Sequence, residues 1–185
     1  MPDTVPAPES VIHLASDIAP QPLSWLWQPW LARGGLALLD GDPDAGKSTL
    51  AVDLAARVSR GFTPPAADGA RAEPAGALLL TQDPVATVLR PRLEAAGADL
   101  SRVLVRGGPG EVACETAALR GVIERHQVAL VVIDPLQAFL ERGLSLENER
   151  HARQTLVPLQ DLAAATGTCL LLVRRPNKSR CAPAL

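Results

Sequence analysis

Gly35-Leu36-Ala37-Leu38-Leu39-Asp40-Gly41-Asp42-Pro43-Asp44-Ala45-Gly46-Lys47-Ser48 passes from an apolar run straight into a loop bracketed by glycines and closed by Lys-Ser. Residues Gly35 to Asp40 have the length and composition of a strand buried in a parallel sheet. After the loop, Ser48 to Ser59 places Leu50, Ala51, Leu54, Ala55 and Val58 on one helical face. A glycine loop between strand and helix is a phosphate cradle: its backbone wraps the anion, successive N–H groups point inward, and the helix adds its positive N-terminal end. Gly41, Asp42, Pro43, Asp44, Ala45, Gly46, Lys47, Ser48 and Thr49 then surround the phosphates. Lys47 reaches the terminal ones and Ser48 ligates magnesium, so the expected ligand is a nucleoside triphosphate with Mg2+.

Working outward, the strongest strand signal is Val128-Ala129-Leu130-Val131-Val132-Ile133-Asp134, which ends in a carboxylate. An aspartate at the C-terminal tip of a buried strand beside such a loop is expected to hold the metal with Ser48. Its plainer reading is a cap, because Pro135 is suited to open a helical turn. Further strands are expected at Ala77 to Thr81, ending in Gln82-Asp83, at Val103 to Val105, and at Cys169 to Val173, ending in Arg174-Arg175. Helical spacing marks Val85 to Ala96, Thr116 to His126, and His151 to Thr166 with Leu156, Leu159, Leu162 and Ala163 inward. Gly61 to Gly76 and Glu141 to Arg150 read as surface loops. Strands alternating with helices need parallel crossovers, which predicts an α/β three-layer sandwich with a mostly parallel sheet and ligands at the strand C-termini.

Ahead of the first strand, Trp25-Leu26-Trp27-Gln28-Pro29-Trp30 contains all three tryptophans of the chain. The expected role is an apolar latch on the sheet edge, with a place near the nucleotide base or at a subunit interface as the alternative. The chain therefore divides into an N-terminal arm at 1–33, a nucleotide-binding core at 34–179 and a tail at 180–185.

With 185 residues, 47% of them hydrophobic, the chain can bury one proper core. A formal net charge of −2 gives no global attraction to nucleic acid or to a membrane surface. The first 19 residues carry no lysine or arginine, against a secretory signal, and no apolar run reaches the roughly 18 residues of a membrane span. Cys114, Cys169 and Cys181 form no CxxC pair, against a zinc site or a disulfide framework, so a cytoplasmic location is expected.

Several segments agree with one pattern: Trp25-Leu26-Trp27, Gly41-Asp42-Pro43, Arg90-Pro91-Arg92-Leu93-Glu94-Ala95-Ala96-Gly97-Ala98-Asp99, Ile133-Asp134-Pro135-Leu136 and Asn177-Lys178-Ser179. Over roughly residues 17 to 179 the chain resembles the RecA-like AAA-family ATPases related to the plasmid replicative helicase RepA. The resemblance implies a RecA-like fold, ATP rather than GTP, a ring-forming homo-oligomer, and hydrolysis linked to DNA replication or repair. It also implies the phosphate and magnesium contacts of Lys47 and Ser48 and a magnesium-coordinating Asp134.

Three departures stand out. The second strand of the family usually ends in Glu-Asp, the glutamate polarising the attacking water, where this chain has Gln82-Asp83. A glutamine orients water but takes no proton, so hydrolysis is expected to be slow or to depend on Asp83. Arg175 stands where a histidine is usual, and two expectations stand side by side: contact with a phosphate oxygen, or a solvated charge at the strand end. The family core continues with more strands and an arginine reaching into a neighbouring subunit, so the expected sheet is incomplete on its C-terminal side. A non-hydrolysing nucleotide-binding switch or assembly subunit, or a truncated remnant, are the alternative readings. Direct DNA contact is the weaker expectation: Arg90 and Arg92, and Arg174, Arg175, Lys178 and Arg180, are basic clusters with no aromatic residue interleaved.

Overall fold

The structure, a computed structural model, describes residues 12–20, 22–61, 72–107, 116–140 and 143–175. The Asn177-Lys178-Ser179 segment, the 180–185 tail, Cys114, Cys181, the first eleven residues and residues 62–71 of the expected surface connection lie outside them.

In chain order the elements are β1 (Trp25–Trp27), β2 (Leu31–Ala32), β3 (Leu36–Leu39), α1 (Lys47–Arg60), β4 (Gly76–Thr81), α2 (Arg90–Ala95), β5 (Val103–Gly107), α3 (Thr116–His126), β6 (Val128–Asp134), α4 (Glu149–Thr166) and β7 (Cys169–Val173). Short helical turns precede β1, lead into α2 and follow β6. Strands β3 to β7 form one sheet in the order β3-β7-β6-β4-β5, every adjacent pair parallel. The last described strand in sequence, β7, is thus inserted between the strand that feeds the glycine loop and the strand that ends at Asp134.

Alternation along each strand sorts the core into two layers. Ala77 and Leu79 of β4, Leu130 and Val132 of β6, and Cys169, Leu171 and Val173 of β7 pack with Ala51, Leu54, Ala55 and Val58 of α1. Leu78 and Leu80, Val131 and Ile133, and Leu170 and Leu172 face Leu119 and Ile123 of α3 and Leu159, Leu162 and Ala163 of α4. The α/β three-layer architecture is therefore as expected, with its five-stranded sheet parallel at every described pairing. Leu130, Ile133 and Leu170 are fully buried, each burial contributing about 1.5–3 kcal/mol before entropy is charged against it.

Three local differences have clear causes. The segment Val85 to Ala96 is not one helix: Val85–Leu89 is a π turn, with the Leu89 N–H donating to Pro84 O at 3.2 Å, before α2 begins. Pro91 has no N–H to donate, so the hydrogen-bond register changes just ahead of it. Helix α4 starts two residues earlier than expected because Asn148 Oδ1 accepts the His151 N–H at 3.2 Å. The tryptophan segment is an antiparallel β1–β2 hairpin whose buried residue is Leu31; Leu26 and Trp27 pack against the core, while Trp30 is 69% exposed. The cluster is thus only partly a latch.

Cys169 lies in β7 with no exposure, and burial pushes its thiol up to about 11. It is a small core residue with no thiolate to react.

Candidate functional site

Three strand tips and one helix start converge on the glycine loop. Helix α1 opens at Lys47 after Gly46, whose φ of 83° lies in the left-handed region that glycine adopts at little cost, and Asp44 holds φ 62°. These backbone turns wrap the loop around the helix N-terminus. Lys47 is only 9% exposed, and its Nζ donates to Gly41 O and to Asp42 O at 2.6 Å each. The ammonium is thus held inside the loop, over the space that the loop encloses.

Beside it lies a cleft of about 360 Å3 lined by Pro43, Asp44, Gly46, Lys47, Ser48, Thr49, Asp83, Arg92 and Arg175. Below the cleft a narrow crevice brings Ser48, Thr81, Asp83, Arg92 and Asp134 together. Strand alternation explains this convergence. The parity that sends Ala77 and Leu79 toward α1 also sends Thr81 and Asp83 there, and the parity of Leu130 and Val132 does the same for Asp134. The β7 alternation continues likewise to Arg175. Thr81 and Asp134 are register partners.

Asp134 is 8% exposed, and its Oδ1 is buried and accepts no hydrogen bond among the described residues. A buried carboxylate oxygen without a donor is costly unless a cation or water completes it. Its cationic neighbour is Arg175 Nη2 at 3.7 Å. A hard carboxylate and a hydroxyl lining one crevice are the kind of donor that magnesium takes, with water and ligand oxygens supplying the rest. Among the described residues no group of three or more His, Cys, Asp or Glu forms a self-sufficient metal cage. The residues therefore fit a magnesium ion that arrives with a phosphate.

Asp83 enters the cleft because its N–H donates to Thr81 Oγ1 at 3.0 Å, turning the chain at the β4 tip. Arg92 Nη1 pairs with Asp83 Oδ2 at 3.3 Å. Gln82, read from the sequence as the water-orienting residue, has an exposed side chain and does not line the cleft. Sequence reasoning left Arg92 out of the site and gave Thr81 no part in it. The threonine two residues before an aspartate at a strand end was a visible turn signal; Arg92, nine positions beyond Asp83 and past a π turn, had none.

A second connection ties β7 to the start of the loop. Arg174 donates to Asp40 Oδ2, and the Gly41 N–H donates to Asp40 Oδ1 at 3.0 Å. Chiefly the Arg174 hydrogen bond, with the Gly41 N–H and against some desolvation, holds the Asp40 carboxyl below the usual carboxylate range. Because the folded pKa is the lower one, the stabilisation is whole above the unfolded value of about 3.9 and is lost as pH falls through the folded value. Asp40→Asn should therefore flatten the acid limb of the stability profile below about pH 4, read by melting at stepped pH. An unchanged acid limb would rule the pair out as a contributor.

The basic clusters noted in the sequence are internally neutralised where they are described. Arg90 pairs with Glu94, Arg92 with Asp83, Arg174 with Asp40 and Arg175 with Asp134. Among the described residues no helix is long and apolar enough to cross a membrane.

Against known proteins, a family model for the AAA domain matches residues 2–180. No curated protein matches the chain.

Proposed function

The chain belongs to the AAA-domain family of P-loop NTPases, and from that premise we propose that it binds ATP with magnesium in the cleft over α1 and hydrolyses it. The observation that carries this reading is the buried, unbonded Oδ1 of Asp134, a residue that lines one crevice together with Ser48, the neighbour of Lys47 at the start of α1. Magnesium supplies charge neutralisation to the phosphates when bound. Ser48 and Asp134 are the residues that would hold it. Lys47 exchanges two carbonyl acceptors for phosphate oxygens, and the loop N–H groups with the α1 N-terminus bind the remaining charge. Asp83 is the carboxylate in place to orient a water and accept its proton, with Arg92 fixing its position.

The choice of adenine, assembly into a ring and a link to DNA replication or repair draw on the resemblance to RepA-like ATPases. Arg90, Arg92, Arg174 and Arg175 already have carboxylate partners, so DNA contact in such an assembly would fall to other surfaces. A non-hydrolysing nucleotide switch is the second reading, supported by Gln82 lying away from the cleft and by Asp83 being engaged by Arg92.

The test is the melting transition with and without Mg-ATP. At a ligand concentration 100 times the dissociation constant, binding to the native state adds about 2.7 kcal/mol. For a chain of this size that raises the midpoint by roughly 5–10 °C. A cooperative transition indifferent to Mg-ATP would sink the proposal.

A further inference from the structure

Arg175 stands between two anion-binding demands that it cannot meet together. Its guanidinium is 3.7 Å from the buried Asp134 Oδ1 and also lines the cleft with Lys47 and Ser48. The side chain is 57% exposed, whereas the main chain is held by two hydrogen bonds. Gln137 Nε2 donates to Arg175 O at 2.7 Å, and the Arg175 N–H donates to Gln137 Oε1 at 3.4 Å. Gln137 belongs to the short turn Leu136–Phe139 that directly follows Asp134-Pro135. The tip of β7 is therefore tied to the tip of β6, which keeps the guanidinium in reach of Asp134 on one side and of the phosphate cleft on the other.

We infer that Arg175 is a positioning residue that serves as the exchangeable counter-charge of Asp134, competing with a divalent cation for that carboxylate and releasing it when an anion in the cleft draws the guanidinium away. The physical basis is charge balance in a poorly solvated crevice. Asp134 gains most from one close positive charge, and guanidinium and divalent cation exclude each other there. Phosphate in the cleft offers Arg175 a bidentate partner. Phosphate and metal binding are thereby coupled through one side chain, and the coupling is reciprocal, of the order of tenfold within the usual range of about 5–150-fold. The inference rests on the reading of Ser48 and Asp134 as the cation-holding pair.

The experiment is a Mn2+ titration of the full chain without nucleotide, following the free-ion signal by electron paramagnetic resonance. Arg175→Gln should bind Mn2+ about tenfold more tightly than the wild type. Arg175→Lys, which keeps the charge, should remain near the wild type, and adding Asp134→Asn to Arg175→Gln should erase the gain. Equal or weaker Mn2+ binding by Arg175→Gln, or a gain that survives Asp134→Asn, overturns the inference. Should Arg175→Gln fail to melt cooperatively, Gln137→Ala decides the matter. It removes the anchor of Arg175 without touching either charge and should raise Mn2+ affinity in the same direction; no rise overturns the inference. The Mg-ATP melting shift of the wild type is measured in parallel, so a failure of nucleotide binding is seen separately from a failure of the Mn2+ comparison.

Discussion

Lys47→Ala is expected to weaken Mg-ATP binding by about a hundredfold or more and to abolish the ligand-induced melting shift. On the proposed reading, the two donors that Lys47 now gives to the Gly41 and Asp42 carbonyls turn to phosphate oxygens, each such bond worth about 1.5–3 kcal/mol, and the substitution removes both. The unliganded protein also loses the two 2.6 Å bonds from Nζ to the Gly41 and Asp42 carbonyls, which hold the loop closed. Those carbonyls lie where water reaches them, since Asp42 is exposed and Gly41 half-buried, so the fold itself should still melt cooperatively. Calorimetric titration of the variant against the wild type checks the result. Unchanged affinity would mean that the nucleotide, if bound at all, is held elsewhere.

The second large effect is expected at Asp83 and not at its neighbour. Asp83→Asn removes the carboxylate that the structure places in the cleft and should lower ATP turnover by about 10²–10⁴-fold, the usual contribution of a positioned general base. Nucleotide affinity should stay near the wild-type value, because no phosphate contact is touched. Gln82→Ala should leave turnover almost unchanged, its side chain being exposed outside the cleft. Phosphate-release assays on the two variants separate the possibilities. Loss at Gln82 with retention at Asp83 would return the water-orienting role to the glutamine, and a wild type with no turnover would favour the non-hydrolysing reading.

This pair of residues shows how far the sequence could be read. Strand β6, strand β7 and helix α3 lie where apolar runs and helical spacing put them, because each is long, regular and bounded by polar or glycine residues. The loop at 41–48 and Asp134 were equally visible, since a phosphate cradle needs glycine at fixed places and a strand-end carboxylate is conspicuous after six apolar residues. Even the direction of Asp83 was within reach: counting by twos along β4 from Leu79 sends Asp83 to the α1 face and Gln82 to the other. What pattern could not reveal was contact across long separations. Asp40 and Arg174 are 134 positions apart, and their pairing follows only from the insertion of β7 beside β3. Arg92 and Asp83 are nine positions apart with a π turn between them, so helical periodicity alone could not pair them.

That insertion of β7 beside β3 also sets a clock during biosynthesis. Among the described strands, β3 hydrogen-bonds to β7 alone, with Leu36 opposite Leu170. A nascent chain that has already displayed the glycine loop must therefore wait for β7 to leave the ribosome before the loop gains its seat and Asp40 meets Arg174. Across 134 positions, at about 5–20 residues per second, the wait is roughly 7–27 s. Throughout it Leu36, Ala37 and Leu39 lack the strand they pair with in the folded protein, an unpaired apolar edge of the kind that chaperones or another edge strand can capture.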